Sequence, residues 1–192
     1  MLDKKETRRH YSEKRNGLSL DKRKMLDDIL FDKTVNSEEF KGAEIILAYY
    51  PIKNEPDVLS IARYALLCGK RVGFPVSNTD TYELTFKLVD DISQLNSGAY
   101  SIPEPKDSCK TYNNEVNTLC IVPALAFDRR GYRIGYGKGF YDRFLSKFRG
   151  TSVGLCYNDF LCEALPVENT DQKIKMVITD KEVLYVPEKE NK

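Results

Sequence analysis

Residues 43–50, Ala-Glu-Ile-Ile-Leu-Ala-Tyr-Tyr, make a run that is apolar but for Glu44, starting after Gly42 and stopping at Pro51. A run of this length, bounded by such residues, has the character of a strand buried on both faces. Residues 57–68 then place Leu59, Ala62 and Leu66 on one helical face, and Gly69 follows in the C-terminal cap position. Lys70 to Pro75 reads as the next strand. Strand, helix and strand at this spacing predict a right-handed crossover between parallel strands. Such a chain folds as an open, mostly parallel sheet covered by helices, with its ligand crevice beyond the carboxyl ends of the strands.

The other elements fit around that unit. Leu2 to about Asn16 is a charged helix, and Lys4 and Arg8 stand at i and i+4 on one of its faces. Ser19 is the N-cap of a second helix carrying Met25, Leu26, Ile29 and Leu30 at amphipathic spacing, running to about Lys33 or beyond. Glu83 to Leu88 alternates as an edge strand does. Residues 96–115, with Pro103 and Pro105 among Gly, Ser and Asn, read as a long surface loop. Thr118 to Ala126 is the central buried strand, with further strands at 152–156 and 174–178 and a polar tail from Pro187 to Lys192. At 192 residues, a single three-layer α-β-α domain over residues 1–192 is the expectation.

The chemistry concentrates at Arg133-Ile134-Gly135-Tyr136-Gly137-Lys138-Gly139-Phe140-Tyr141-Asp142-Arg143. Glycines at every second position let a bulky anion approach backbone amides. A helix starting near Gly139 adds unpaired amides and the positive end of its dipole. Arg133 and Lys138 contribute full charge, and Asp142 a carboxylate one turn in, so the parts suit a phosphate site with room for a magnesium ion. The spacing is neither a Walker A loop nor a dinucleotide fingerprint. A glycine-rich turn present for steric reasons is the plainer alternative. Phe140, Phe144 and Phe148 recur every four residues and read as core, which leaves Tyr141 to face a ligand.

Composition narrows the class. The net charge of +1 gives no reason to expect a nucleic-acid partner, although nine Lys and Arg against four Asp and Glu crowd the first 24 residues. Acids at 3, 6 and 13 interrupt that basic stretch, unlike an organellar presequence. No apolar run approaches the roughly 20 residues of a membrane span. Five scattered cysteines without a C-x-x-C pair suit reduced thiols and a cytoplasmic protein, and His10 is given no role.

The stretch from Val122-Pro123-Ala124-Leu125-Ala126-Phe127-Asp128 through Gly131 to Arg143 resembles the signature of the 5-formyltetrahydrofolate cyclo-ligases, also called 5,10-methenyltetrahydrofolate synthetases. The resemblance extends in order to the basic opening helix, the glutamate after the first strand, the Pro-x-Pro element and a late aspartate. It implies ATP- and Mg2+-dependent conversion of 5-formyltetrahydrofolate to 5,10-methenyltetrahydrofolate by a monomer, with ADP and phosphate released.

On that resemblance Lys4 and Arg8 contact ATP, with Lys14 or Arg15 in the trailing basic cluster. The ATP site continues through Arg133, Ile134, Gly135, Tyr136, Gly137, Lys138, Gly139, Phe140 and Tyr141. Arg133, Lys138 and Asp142 carry catalysis. Glu55 holds the pterin, with Tyr50 and Tyr141 beside the folate, and a carboxylate suits an aminopyrimidinone edge because it accepts two hydrogen bonds. For Glu55 the alternative is a surface acid ahead of a helix begun by Pro56. Asp142 and Asp171 hold the magnesium. This chain departs from the family where Pro56-Asp57-Val58 follows Glu55, and where Lys175 replaces an acid. Two other classes compete: an RNA-binding relative using the basic helix, and a sugar-phosphate isomerase or acyl-transfer enzyme of related architecture.

Overall fold

The computed structural model describes residues 3–187. The expected helical start at Leu2 and all of the expected polar tail beyond Pro187 lie outside them. Its frame is a seven-stranded sheet. In chain order its strands are β1 (Ile45–Leu47), β2 (Arg71–Ser77), β3 (Leu84–Val89), β6 (Thr118–Val122), β9 (Thr151–Leu155), β11 (Met176–Ile178) and β12 (Val183–Tyr185). They lie in the order β12-β11-β9-β6-β1-β2-β3. The five inner strands are parallel and the two edges antiparallel, so the expected α/β architecture holds.

The apolar run at 45–47 becomes an inner strand beside the central β6, where neighbours cover it on every side. Ile45 pairs with Arg71 of β2 on one flank and Thr118 of β6 on the other, and β1 is wholly buried. The ends of the parallel strands then deliver Tyr49 and Tyr50 (after β1) and Pro123 (after β6) to a shared crevice.

Helix α1 (Lys4–Asn16) is capped by Asp3 and Glu6 in a reciprocal capping box. Its fully buried residues are Thr7 and Arg15, neither of them apolar. Helix α2 (Leu20–Asn36) starts at the expected Ser19 cap, but Met25 is exposed, and the buried stripe is Leu26, Leu30 and Thr34. Ser37 ends α2 and, through its hydroxyl, caps the short α3 (Glu38–Gly42).

Helix α4 (Val58–Leu67) is capped by Asp57, whose carboxylate accepts from Leu59 and Ser60. Its inner face is Val58, Ile61, Ala62 and Ala65, so of the expected inward trio only Ala62 is fully buried. Gly69 terminates the helix at φ +75°, where a side chain would be strained.

Two expectations are corrected. The strand predicted over 118–126 ends at Val122, because Pro123 has no N–H to continue the ladder. The chain re-forms as β7 (Ala126–Asp128), which pairs with β8 (Arg133–Ile134) and with β10 (Leu161–Cys162) in a separate three-stranded sheet. The loop predicted over 96–115 contains a hairpin of β4 (Leu95–Ser97) and β5 (Pro103–Pro105). An isolated two-stranded pairing tolerates prolines at edge positions.

Helix α5 (Phe140–Leu145) packs on β3 through Phe144, whose ring lies 4.7 Å from Phe86 and 5.1 Å from Phe148. Phe140 leaves that stripe and meets Tyr82 and Tyr100 edge-on. No helix among the described residues is long and apolar enough to cross a membrane.

Candidate active site

The turn between β7 and β8 aims the glycine ribbon. Asp128 is fully buried, and its carboxylate accepts from the backbone amides of Arg130, Tyr132 and Leu165 and from the Arg130 guanidinium. Gly131 completes the turn at φ +85°, where a Cβ would lie 2.8 Å from the Ile174 carbonyl. β8 then hands the chain to Gly135 at the mouth of a cleft of about 820 Å3.

The fifteen residues assigned from the sequence to the ATP, folate and magnesium sites all line this cleft, whereas Lys14 and Arg15 do not. The ribbon bends at Gly137 (φ +94°) and Gly139 (φ +73°), and Gly139 is the N-cap of α5, as the spacing predicts. Gly135 has an ordinary φ, and a Cβ there would meet nothing within 4 Å. Its carbonyl accepts from Arg8 Nε at 3.0 Å, and the same guanidinium lies against Gly137. Ile134 is a buried β8 residue whose carbonyl accepts from the Leu125 amide. Lys138 is exposed, with its ammonium 5.4 Å from the Tyr82 ring.

One end of the cleft is rich in cations held by carboxylates. Arg133 donates from Nη1 to the Gln172 carbonyl at 3.0 Å and lies 2.9 Å from Asp142 through Nη2. The Gln172 amide donates to the same Asp142 oxygen at 3.1 Å. Lys4 reaches both oxygens of Asp171, at 2.8 and 2.7 Å, and lies 3.2 Å from Glu168. No group of three or more Asp, Glu, His or Cys suited to a metal occurs among the described residues. Magnesium is commonly held by one or two carboxylates plus phosphate oxygens, so Asp142 and Asp171 remain a compatible donor set.

The other end is organised around Glu55, which is 6% exposed. Its Oε2 accepts from the Ile52 amide at 3.0 Å, and its Oε1 lies 3.9 Å from Arg15 Nη2. Burial pushes its carboxyl up to about 7, against the lowering influence of the Ile52 amide, Arg15 and Lys53. Tyr136, which the resemblance puts in the ATP site, instead turns its side chain toward this end, where its hydroxyl accepts from Arg15 at 2.7 Å and Lys53 lies 4.7 Å from its ring. Burial raises its phenol to about 12. Tyr141 has a buried hydroxyl without a hydrogen-bond partner among the described residues, and burial pushes its phenol well above the ordinary range. Tyr50, only half-buried, follows the strand end nearby.

Two contributors do more than the sequence reading gives them. Arg15, read there only as Lys14's alternative in the trailing basic cluster, is buried. Gln172 acts through its backbone, which no side-chain pattern reveals. Its only signal is adjacency to Asp171.

Residues 1–180 match the model of the 5-formyltetrahydrofolate cyclo-ligase family. The chain belongs to the 5-formyltetrahydrofolate cyclo-ligase family. Among its relatives, a probable 5-formyltetrahydrofolate cyclo-ligase of Caenorhabditis elegans is 28% identical over 170 residues, 82% of each chain. The 5-formyltetrahydrofolate cyclo-ligase of Escherichia coli K12 is 31% identical over 146 residues, 73% of this chain and 80% of the relative. The NMR structure of Aquifex aeolicus 5,10-methenyltetrahydrofolate synthetase superposes with a TM-score of 0.84 at 31% identity, covering 98% of this chain and 95% of that one. Membership of a family of enzymes thus accounts for a cleft, and in this chain the opening helix, Glu55 and the glycine ribbon line one cavity.

Proposed function

We propose that the chain catalyses the ATP- and Mg2+-dependent cyclisation of 5-formyltetrahydrofolate to 5,10-methenyltetrahydrofolate, releasing ADP and phosphate. The observation that carries this reading is one cavity lined by two kinds of group. They are a buried glutamate, Glu55, and the four cations Lys4, Arg8, Arg133 and Lys138 beside a glycine ribbon that is left-handed at Gly137 and Gly139.

An N-formyl group is an amide and a poor electrophile. Transfer of the γ-phosphoryl group to the formyl oxygen turns that oxygen into a leaving group. N10 of the same folate then attacks the formyl carbon and loses its proton, and the carbon–oxygen bond breaks to release phosphate and leave the methenyl bridge. No protein nucleophile takes part. The protein's contribution is alignment and charge, which supply much of the acceleration of phosphoryl transfer.

Lys4, Arg8, Arg133 and Lys138 bind the triphosphate, and the amides of the ribbon and of the first turn of α5 face it. Asp142, with Asp171, would hold the magnesium ion, which when bound supplies charge neutralisation to the phosphate oxygens. Glu55 accepts hydrogen bonds from the pterin, while Tyr50 and the buried Tyr141 hydroxyl face the folate. The acting unit is a monomer in the cytoplasm.

Incubating the protein with folinic acid and Mg-ATP tests the reading directly. The methenyl chromophore should appear with equimolar ADP and phosphate. ATP hydrolysis without the chromophore, or a chromophore independent of ATP, would overturn it.

A further inference from the structure

Arg15 sits in the last turn of α1 and is 3% exposed. Removing a guanidinium from water costs several kcal/mol unless its donors find strong acceptors. Here Nη1 donates to the Ala124 carbonyl at 2.8 Å and Nη2 to the Tyr136 hydroxyl at 2.7 Å, while Nη2 also faces Glu55 at 3.9 Å. The three partners come from the loop after β6, the glycine ribbon and the loop after β1. Nε is buried and has no hydrogen-bond partner among the described residues. An apolar side chain would fill this volume at lower cost, so packing alone is a poor account of the charge.

We propose that Arg15 is the positioning residue of the folate end: it fixes Tyr136 and orients Glu55, so that α1 serves both ends of the cleft. The proposal rests on the reading of Glu55 as the pterin carboxylate. The helix already brings Lys4 and Arg8 to the cationic end, and Arg8 holds Gly135 while Arg15 holds the next residue, Tyr136. Two turns of one helix therefore pin neighbouring ribbon residues that face different substrates.

The groups facing Glu55 fix the sign of the expected effect. Ile52 N–H, Lys53 and Tyr49 come from the segment after β1, Arg15 from α1, Tyr136 from the ribbon and Tyr141 from α5. Arg15 and Lys53 are the cations among them, and burial opposes both. Without Arg15 the carboxylate takes up its proton at a higher pH. Folate recognition that needs an ionised Glu55 then fails at a higher pH as well.

The experiment compares Arg15→Met, Arg15→Lys, Tyr136→Phe and Glu55→Gln, measuring KM for folinic acid and for ATP across neutral pH, with thermal unfolding as a check on folding. Arg15→Met should raise the folinate KM about tenfold, the scale of a lost charged hydrogen bond, with little change in the ATP KM. Its folinate profile should shift toward alkaline pH, and Arg15→Lys should bring the profile back while recovering only part of the KM. Equal weakening of both substrates, or an unmoved profile, overturns the proposal. If Arg15→Met does not fold, Tyr136→Phe decides: it should raise the folinate KM several-fold and spare ATP, and an unchanged folinate KM defeats the idea. A Glu55→Gln variant with normal folinate KM refutes the Glu55 reading. A weakened Glu55→Gln beside an unaffected Arg15→Met refutes Arg15 alone.

Discussion

Lys4 and Asp171, 167 positions apart in the chain, are joined through both carboxylate oxygens at 2.8 and 2.7 Å. The pair is mostly shielded, with side chains 15% and 16% exposed. It ties the first turn of α1 to the loop before β11, so the first and last parts of the cleft depend on one another.

Replacing Lys4 by Met should therefore do two things. The ligand-free protein should lose about 1–3 kcal/mol of stability, because Asp171 is left without its main counter-charge. The ATP KM should rise about tenfold while the folinate KM holds. A variant with unchanged ATP KM would remove Lys4 from the phosphate site.

Asp142→Asn keeps an oxygen for Arg133 and the Gln172 amide but removes the charge. Turnover should fall by about a hundredfold or more, in line with the loss of one electrostatic contributor to a phosphoryl transfer. Circular dichroism and thermal unfolding should stay near wild type. Normal turnover would dismiss Asp142 as a magnesium carboxylate.

Arg133→Lys preserves the charge but cannot span the Gln172 carbonyl and Asp142 together. The expected outcome is a raised ATP KM with folinate little affected. Steady-state kinetics with each substrate varied in turn will show which. Parallel losses for both would point to a general distortion of the cleft.

Glu55 links pH to stability with an unusual sign. Its carboxyl lies near 7 when folded against an ordinary 4.5, so between these values the folded protein holds the extra proton. Stability contributed by this group is thus greatest at low pH and declines as pH rises through that window. The unfolding free energy of wild type minus that of Glu55→Gln should fall from about pH 5 to about pH 7 and level off above. A difference that is flat with pH would mean the carboxylate is not desolvated.

Gly137→Ala places a side chain at φ +94°, with its Cβ 3.1 Å from the Arg8 guanidinium carbon. We expect a cost of about 1–2 kcal/mol from the left-handed backbone, and weaker ATP binding as Arg8 is displaced. The same change at Gly135, where nothing crowds the Cβ, should be far milder in stability. Equal stability losses at both would show that the bend at Gly137 is not the reason for its glycine.

Much of this was legible because it depends on local pattern. The run at 45–47, the Ser19 cap, Gly69 and the start of α5 at Gly139 follow from residue type over a few positions. The break at Pro123 was also written locally, but a continuous apolar run concealed it until the ladder had to be paired. The inner face of α4 differs from the expected one by about one residue, because packing against the sheet selects Val58, Ile61, Ala62 and Ala65 from a helix that is apolar on more than one side. Arg15 was hidden for another reason. Burial of a charge is a tertiary fact, and the carbonyl and hydroxyl that accept from it lie more than a hundred residues away.

The opening helix buries no apolar residue completely, and its long-range fasteners are Lys4 to Asp171, Arg8 to Gly135, Lys14 to Asp159 and Arg15 to Ala124. Lys4 and Arg15 are shielded from solvent, so salt screens these attachments little. Removing single charges, and not adding salt, should therefore loosen the helix, while the sheet beneath keeps its amides protected from exchange.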